Sequence, residues 1–135
     1  MSRRSNTFAK TRQDHASETA EDYVEAIDDI LKSQPTCRVK DLAAKMGVSH
    51  VTVTRILQRL SAEGLIDKEP YGPCTLTPKG SLMARRSRRR HQLLLDFLLH
   101  IGVPPANAAR DAEGMEHHVS DATLSVMRQM LERSV

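Results

Sequence analysis

Asp41-Leu42-Ala43-Ala44-Lys45-Met46-Gly47-Val48-Ser49-His50-Val51-Thr52-Val53-Thr54-Arg55 is the stretch that decides the fold. Residues 41–46 predict a short helix, entered through Val39 and Lys40. Gly47 follows directly, where a left-handed residue ends a helix. Val48 packs in the turn, and Ser49 caps the next helix. That helix is expected from residue 50 to about 63, with Val53, Ile56, Leu57 and Leu60 as its apolar stripe. Gly64 ends it. Residues 65–69 and 74–77 flank a Pro70-Tyr71-Gly72-Pro73 turn and predict a two-stranded hairpin. Helix, glycine turn, helix and hairpin make a winged helix-turn-helix, which lays its second helix in the DNA major groove.

This arrangement assigns a DNA-reading face. His50, Val51, Thr52 and Arg55 lie on the outward, N-terminal part of the recognition helix. Arg55 can fork onto guanine O6 and N7, and Val51 can touch a thymine methyl. The hydroxyls of Ser49 and Thr52 suit phosphate oxygens. Lys68, Tyr71 and Lys79, around the wing turn, would lie along the backbone. A helical hairpin built for packing alone would need neither the polar exposed face nor the wing.

Upstream, residues 1–17 are polar, mixed in charge and without apolar periodicity. They are expected to be a disordered basic arm, an inert tail in preference to one touching phosphates through Arg3, Arg4, Lys10 and Arg12. Ser17 and Thr19 offer caps for a first helix. Tyr23, Ile27, Ile30 and Leu31 then recur at helical spacing until Ser33-Gln34-Pro35 stops it.

Downstream, Thr77 can cap a long helix that starts at Pro78. Its first half carries Arg85, Arg86, Arg88, Arg89 and Arg90, read as a solvated face. Its second half, Leu93 to Leu99, is apolar nearly all round. Such a helix must be buried, and in so short a chain the expected cover is a second copy. Gly102-Val103-Pro104-Pro105 breaks it. A short helix over residues 106–112 and a final helix from Ser120-Asp121 to about residue 133 complete the chain.

The expected fold is therefore mainly α. Residues 1–17 form the arm, 18–79 the winged helix-turn-helix, and 80–135 an all-helical metal-binding and dimerisation domain. The chain has 135 residues, of which 39% are hydrophobic, with two Phe, two Tyr and no Trp. The core must then be mainly aliphatic, and domains this small gain from a partner chain. Net charge is +3, a mild bias toward polyanions. Two cysteines, Cys37 and Cys74, make neither a disulfide framework nor a zinc ribbon. No apolar run approaches the ~20 residues of a membrane span, and the N-terminus lacks a signal-peptide core. The expected location is cytoplasmic.

Metal chemistry enters through Glu113-Gly114-Met115-Glu116-His117-His118. On a helix, Glu113, Glu116 and His117 share one face. Carboxylates and imidazole together suit a divalent ion of intermediate hardness. Asp22 and Glu25 put two more carboxylates on one face of the first helix, and His91 sits where the long helix turns apolar. Together these are four carboxylates and two imidazoles. Each alone has an ordinary reading: acids at a helix start, a core histidine, a solvated face. His118 points about 100° from His117 on a helix and is assigned a supporting or structural place. His15, His50 and His100 receive no metal role.

Glu21-Asp22-Tyr23-Val24-Glu25-Ala26-Ile27, the winged helix-turn-helix, the segment from Arg88 through His91 to Leu98, and Asp111 to Ser120 together resemble the diphtheria-toxin-repressor-like metalloregulators. The resemblance covers about residues 18–133 and is strongest to the manganese-transport-regulator branch. It implies that Asp22, Glu25, His91, Glu113, Glu116 and His117 hold one or two Mn(II) ions per subunit. Fe(II) or Zn(II) is expected to bind in vitro. The iron-responsive branch carries a soft sulfur donor at the position of Asp22, and a hard carboxylate there favours manganese. The SH3-like third domain of the iron branch is expected to be absent.

The function so implied is a manganese-dependent repressor of metal-uptake genes, acting as a homodimer on an inverted-repeat DNA operator. Without metal, the acids of the first helix and of the second domain repel. An ion neutralises them and fixes the recognition helices about 34–36 Å apart, one turn of DNA. The alternatives are an iron-responsive regulator of the same family and a winged-helix protein sensing an organic ligand or oxidation at Cys37 or Cys74. A dimetal carboxylate enzyme is disfavoured because no paired Glu-x-x-His arrangement exists.

Overall fold

The computed structural model describes residues 3–133, with side chains from His15 to Arg133. The element order is α1 (Arg3–Ser33), α2 (Val39–Met46), α3 (His50–Ala62), β1 (Ile66–Lys68), β2 (Cys74–Leu76), α4 (Pro78–His100), α5 (Pro105–Met115) and α6 (Asp121–Arg133). Thr19–Arg85 forms one compact unit. The residues before Thr19 and those from Arg86 onward form the other.

The expected disordered arm is corrected by α1, which starts at Arg3 rather than near Ser17. Residues 3–17 contain no Pro or Gly and include Ala9, Lys10, Arg12, Gln13 and Ala16. These residues favour a helix by intrinsic propensity, which needs no apolar stripe. The question of phosphate contacts through Arg3, Arg4, Lys10 and Arg12 lies outside the described side chains.

Local chemistry sets the other boundaries where the sequence placed them. The Arg38 backbone N–H donates to Asp41 Oδ2 at 2.9 Å and opens α2. Gly47 closes it with φ +68°, its N–H on the Ala43 carbonyl. A left-handed backbone at the turn costs glycine nothing and a side chain strain. Ser49 Oγ accepts the Thr52 N–H at 3.1 Å and caps α3. The wing is shorter than expected, three residues a strand, paired antiparallel with Ile66 opposite Leu76 and Lys68 opposite Cys74. Tyr71 at its turn has φ 59° and is fully exposed. Thr77 caps α4 by accepting the Gly80 N–H at 3.1 Å, and its hydroxyl donates to the Gly64 carbonyl at 2.7 Å. One threonine thereby fastens the end of α3 to the start of α4.

The core of the winged unit is aliphatic, as the composition requires. Val24, Ile27, Leu42, Val53, Leu57, Leu60, Leu65 and Ile66 are buried in it, and Tyr23 is its one buried aromatic. Burial holds the Tyr23 hydroxyl above its ordinary pKa. Cys37 and Cys74 are buried in the same core. The Cys74 N–H donates to the Cys37 carbonyl at 2.9 Å. A thiol–thiol hydrogen bond and then burial push Cys37 up, and the same bond draws Cys74 down.

The second unit has its own core. Leu94 and Leu98 of α4, Ala108 and Ala112 of α5, and Leu124 of α6 are buried together. Both buried positions of α5 are alanines, so its side of this core is small. Leu99, Ile101, Val126 and Met130 of this unit are left 42, 55, 55 and 44% exposed. The apolar half of α4 is therefore only partly covered within one chain.

Gly80 is fixed by space. A Cβ there would strike the Leu65 carbonyl oxygen, with the carbonyl carbon 3.1 Å away. Gly114, inside α5, has nothing within 4 Å of such an atom. Gly80→Ala is expected to destabilise the protein by about 1–3 kcal/mol through overpacking. Gly114→Ala should be neutral or stabilising by up to about 1 kcal/mol through helix propensity. Urea denaturation followed by far-ultraviolet circular dichroism checks both, and equal effects would contradict the packing described.

Candidate metal centre and nucleic-acid interface

In the second unit, α4 carries His91 and the end of α5 carries Glu116 and His117. Glu116 follows the last residue of α5 with φ −57° and ψ −29°, and its N–H still bonds the Ala112 carbonyl. The helical path therefore continues to Glu116, and α5 is longer than the expected 106–112. Glu116 is only 3% exposed. Its Oε2 lies 3.2 Å from His91 Nδ1, and its Oε1 lies 3.4 Å from His117 Nε2. The sequence separates His91 from Glu116 widely; packing of α5 on α4 through Leu94, Leu98, Ala108 and Ala112 brings them together.

Burying a carboxylate is costly unless positive charge or hydrogen bonds compensate it. Here each oxygen faces one imidazole nitrogen. Neighbouring donors of an octahedral ion with bonds of about 2.1 Å stand about 3 Å apart. The two nitrogen–oxygen separations are close to that value. The donor set, hard oxygen with borderline nitrogen, fits manganese, iron or zinc. Glu116 presents one oxygen to each imidazole, and the three groups together would hold a divalent ion.

The remaining expected ligands behave differently. Glu113 is exposed on α5 and makes no hydrogen bond or ion pair with His91, Glu116 or His117. Within the unit, the structure thus gathers three of the four donors expected there. Asp22 and Glu25 are half-buried on α1 in the winged unit, three residues apart and on one face. His118 is turned elsewhere. Its Nε2 meets Glu18 Oε2 at 3.4 Å, and its ring stands edge-on to His117 at 6.4 Å between centroids. No local sequence pattern signals the pairing of Glu18 with His118, which depends on tertiary packing.

In the winged unit the residues expected to face DNA differ in exposure. His50 and Arg55 are exposed, Thr52 is half-buried, and Val51 is 75% exposed despite being apolar. Its side chain is thus available to a base methyl. Ser49 Oγ also donates to Thr52 Oγ1 at 3.0 Å, which leaves the Thr52 hydroxyl proton to donate outward. Two lysines are more engaged than the sequence indicated. Lys79 Nζ donates to the Glu63 carbonyl at 2.9 Å, where α3 ends. A cation there complements the helix dipole, so Lys79 is placed at the end of α3 rather than extended from the wing. Lys68 Nζ donates to the Glu69 carbonyl at 3.2 Å. Tyr71 alone stands free at the wing tip.

A DNA-reading winged helix in the same chain as a buried carboxylate between two imidazoles defines a metal-responsive transcriptional regulator. Comparison with known proteins agrees. Residues 15–73 match "Iron dependent repressor, N-terminal DNA binding domain", and residues 77–134 match "Iron dependent repressor, metal binding and dimerisation domain". The chain is 44% identical over 126 residues to the transcriptional regulator MntR of Escherichia coli O157:H7, covering 93% of this chain and 81% of that one. It is 47% identical over 117 residues to MntR of Salmonella typhi, covering 87% and 74%. A solved manganese-dependent transcriptional repressor in complex with manganese superposes with a TM-score of 0.73 at 34% identity, covering 84% of this chain and 52% of that one. The chain thus spans about half the length of that solved structure. The chain belongs to the diphtheria-toxin-repressor-like family of iron-dependent repressors, and MntR proteins are among its relatives.

Arg55→Ala is expected to cost about 1–3 kcal/mol of binding to a specific duplex and to relax preference at one base pair. Lys79→Ala should change DNA affinity less, because its ammonium is held at Glu63. Fluorescence anisotropy on a matched and a mismatched duplex checks this; a uniform loss on both duplexes for Arg55→Ala would move it from the bases to the backbone.

Proposed function

We propose that this chain is a manganese-dependent, DNA-binding transcriptional repressor of metal-uptake genes. The buried Glu116 carboxylate between His91 and His117 carries the reading. Such a group invites a divalent cation, and the rest of the chain is built to read DNA rather than to turn over a substrate. Asp22, Glu25, His91, Glu113, Glu116 and His117 are the proposed ligands. When bound, the ion supplies positive charge that lets these acids share one place.

The residues of the chain divide the work. His91 and His117 orient the Glu116 carboxylate, one at each oxygen. Glu113, exposed three residues earlier, would add a further oxygen donor. Asp22 and Glu25 come from the helix that also contributes Val24 and Ile27 to the winged core. Donors taken from both segments would, with an ion held, restrict the freedom of the DNA-reading unit and favour its binding-competent state. Ser49, His50, Val51, Thr52 and Arg55 then face the groove, with Tyr71 at the wing tip toward the backbone; Lys68 and Lys79 lie nearby with their ammonium groups held at the Glu69 and Glu63 carbonyls. The exposed Leu99, Ile101, Val126 and Met130 offer apolar surface to the second copy of a homodimer. Such a dimer matches an inverted-repeat operator.

Asp22, a hard donor, favours manganese over iron. Iron remains the competing ion within this reading. Oxidation sensing is less well supported, because Cys37 and Cys74 are at most 1% exposed. No described helix is long and apolar enough to cross a membrane, and we place the protein in the cytoplasm as a regulator without catalytic turnover.

The test is a duplex-binding titration with manganese, iron and zinc under anaerobic conditions, on an inverted repeat selected by the manganese-loaded protein. Glu116→Ala and His117→Ala are expected to weaken manganese-dependent binding by about 10- to 100-fold or more. His118→Ala should stay within about fivefold, since an exposed pair with Glu18 contributes no more than about 1 kcal/mol. Unchanged manganese dependence in both Glu116→Ala and His117→Ala would show that the ligands are wrongly assigned.

A further inference from the structure

The second unit also holds a cleft that the metal reading does not use. Arg86, Arg89 and Arg90 stand at i, i+3 and i+4 of α4, on one face of that helix. Together with Arg128 of α6 they surround a cavity of about 480 Å³. Leu93 and Leu124 also line it, and Asp121 is the single acid on its wall. The lining therefore carries four guanidinium groups against one carboxylate. Arg86, Arg89 and Arg128 make no ion pair among the described residues, and neither does Asp121. The run of arginines read from sequence as a solvated face is thus, in part, the wall of a cleft.

The guanidinium groups of Arg86, Arg89 and Arg128, gathered around one concavity with Asp121 as the acid on its wall, repel one another, and an anion relieves that repulsion. Guanidinium groups present paired N–H donors that match two oxygens of a phosphate at once. Three of them around one cavity, those of Arg86, Arg89 and Arg128, suit a group of higher charge than a single carboxylate. The volume falls within the range of small-molecule clefts, and Leu124, only 5% exposed, gives the site an apolar side. A flat DNA backbone contact needs neither concavity nor leucine.

We propose that this cleft between α4 and α6 binds a phosphate-bearing small molecule. Arg86, Arg89 and Arg128 hold the phosphate, and Leu93 and Leu124 receive the less polar part. Its position makes the ligand a second input to the helical unit, separate from the metal ligands.

The test uses the metal-free full-length protein with inorganic phosphate as the probe, since phosphate would otherwise sequester the ion. Thermal unfolding is followed against phosphate concentration, with sodium chloride at matched ionic strength as the control. The wild type is expected to show a saturable rise in Tm with phosphate and not with chloride. Arg89→Gln and Arg128→Gln should each weaken the apparent affinity by about tenfold or more, with helix content unchanged. Arg128→Lys, which keeps the charge and loses the fork, should fall between. The same rise in the double glutamine variant, or none in the wild type, would overturn the proposal. So would either of two other results. If Arg128→Gln weakened binding to every duplex uniformly and lowered the salt slope by about one, the arginines would belong to the DNA backbone. If it converted a dimer to monomer in sedimentation, they would belong to the subunit interface.

Discussion

The Glu116 carboxylate sets the terms for the second half of this molecule. A carboxylate that is 3% exposed must be compensated, and an imidazole stands within 3.4 Å of each of its oxygens. The imidazoles are kept there by the core that α4 and α5 share, in which Leu94, Leu98, Ala108 and Ala112 are buried together. The same packing ends α5 at Met115 and lets the chain turn through His118, whose N–H reaches the Met115 carbonyl at 3.0 Å. His118 is thereby sent to Glu18 and kept from His91. One buried charge thus organises the choice of small residues, the helix end and the separation of two adjacent histidines.

The winged unit follows a different logic, in which hydrogen bonds at helix ends do most of the positioning. Ser49 starts α3, Gly47 turns the chain before it, and Thr77 links Gly64 to α4. These contacts hold the recognition helix by its ends and leave His50, Val51 and Arg55 exposed. A reading surface needs this combination: rigid backbone beneath and unsatisfied side chains above. Lys79 shows the cost of the arrangement, because the end of α3 takes its ammonium as a cap.

Much of this was legible because it is local. Gly47, Ser49 and Thr77 announce helix boundaries through chemistry that acts over three or four residues, and the expected ends of α2, α3 and α4 fall within a residue or two of those observed. The i, i+3 and i+4 spacing of Glu113, Glu116 and His117 likewise follows from helix geometry. The start of α1 was missed for the converse reason: residues 3–17 have helix propensity without an apolar stripe, and periodicity cannot register them. Glu113 shows the limit of face arguments, since sharing a helix face with Glu116 does not bury it or bring it to His91.

By itself, then, the sequence determined the order of elements, the winged helix-turn-helix with its exposed polar face, and the residue types able to hold a divalent ion. Only the tertiary structure decided that Glu116 is the buried member with one histidine at each oxygen, that His118 pairs with Glu18, that Lys79 is tied to Glu63, and that part of an arginine run walls a cleft with Arg128. The physical reason is range. Capping, turn chemistry and helical periodicity are fixed within a turn or two of chain, whereas burial, charge pairing and cavities depend on which distant helices meet.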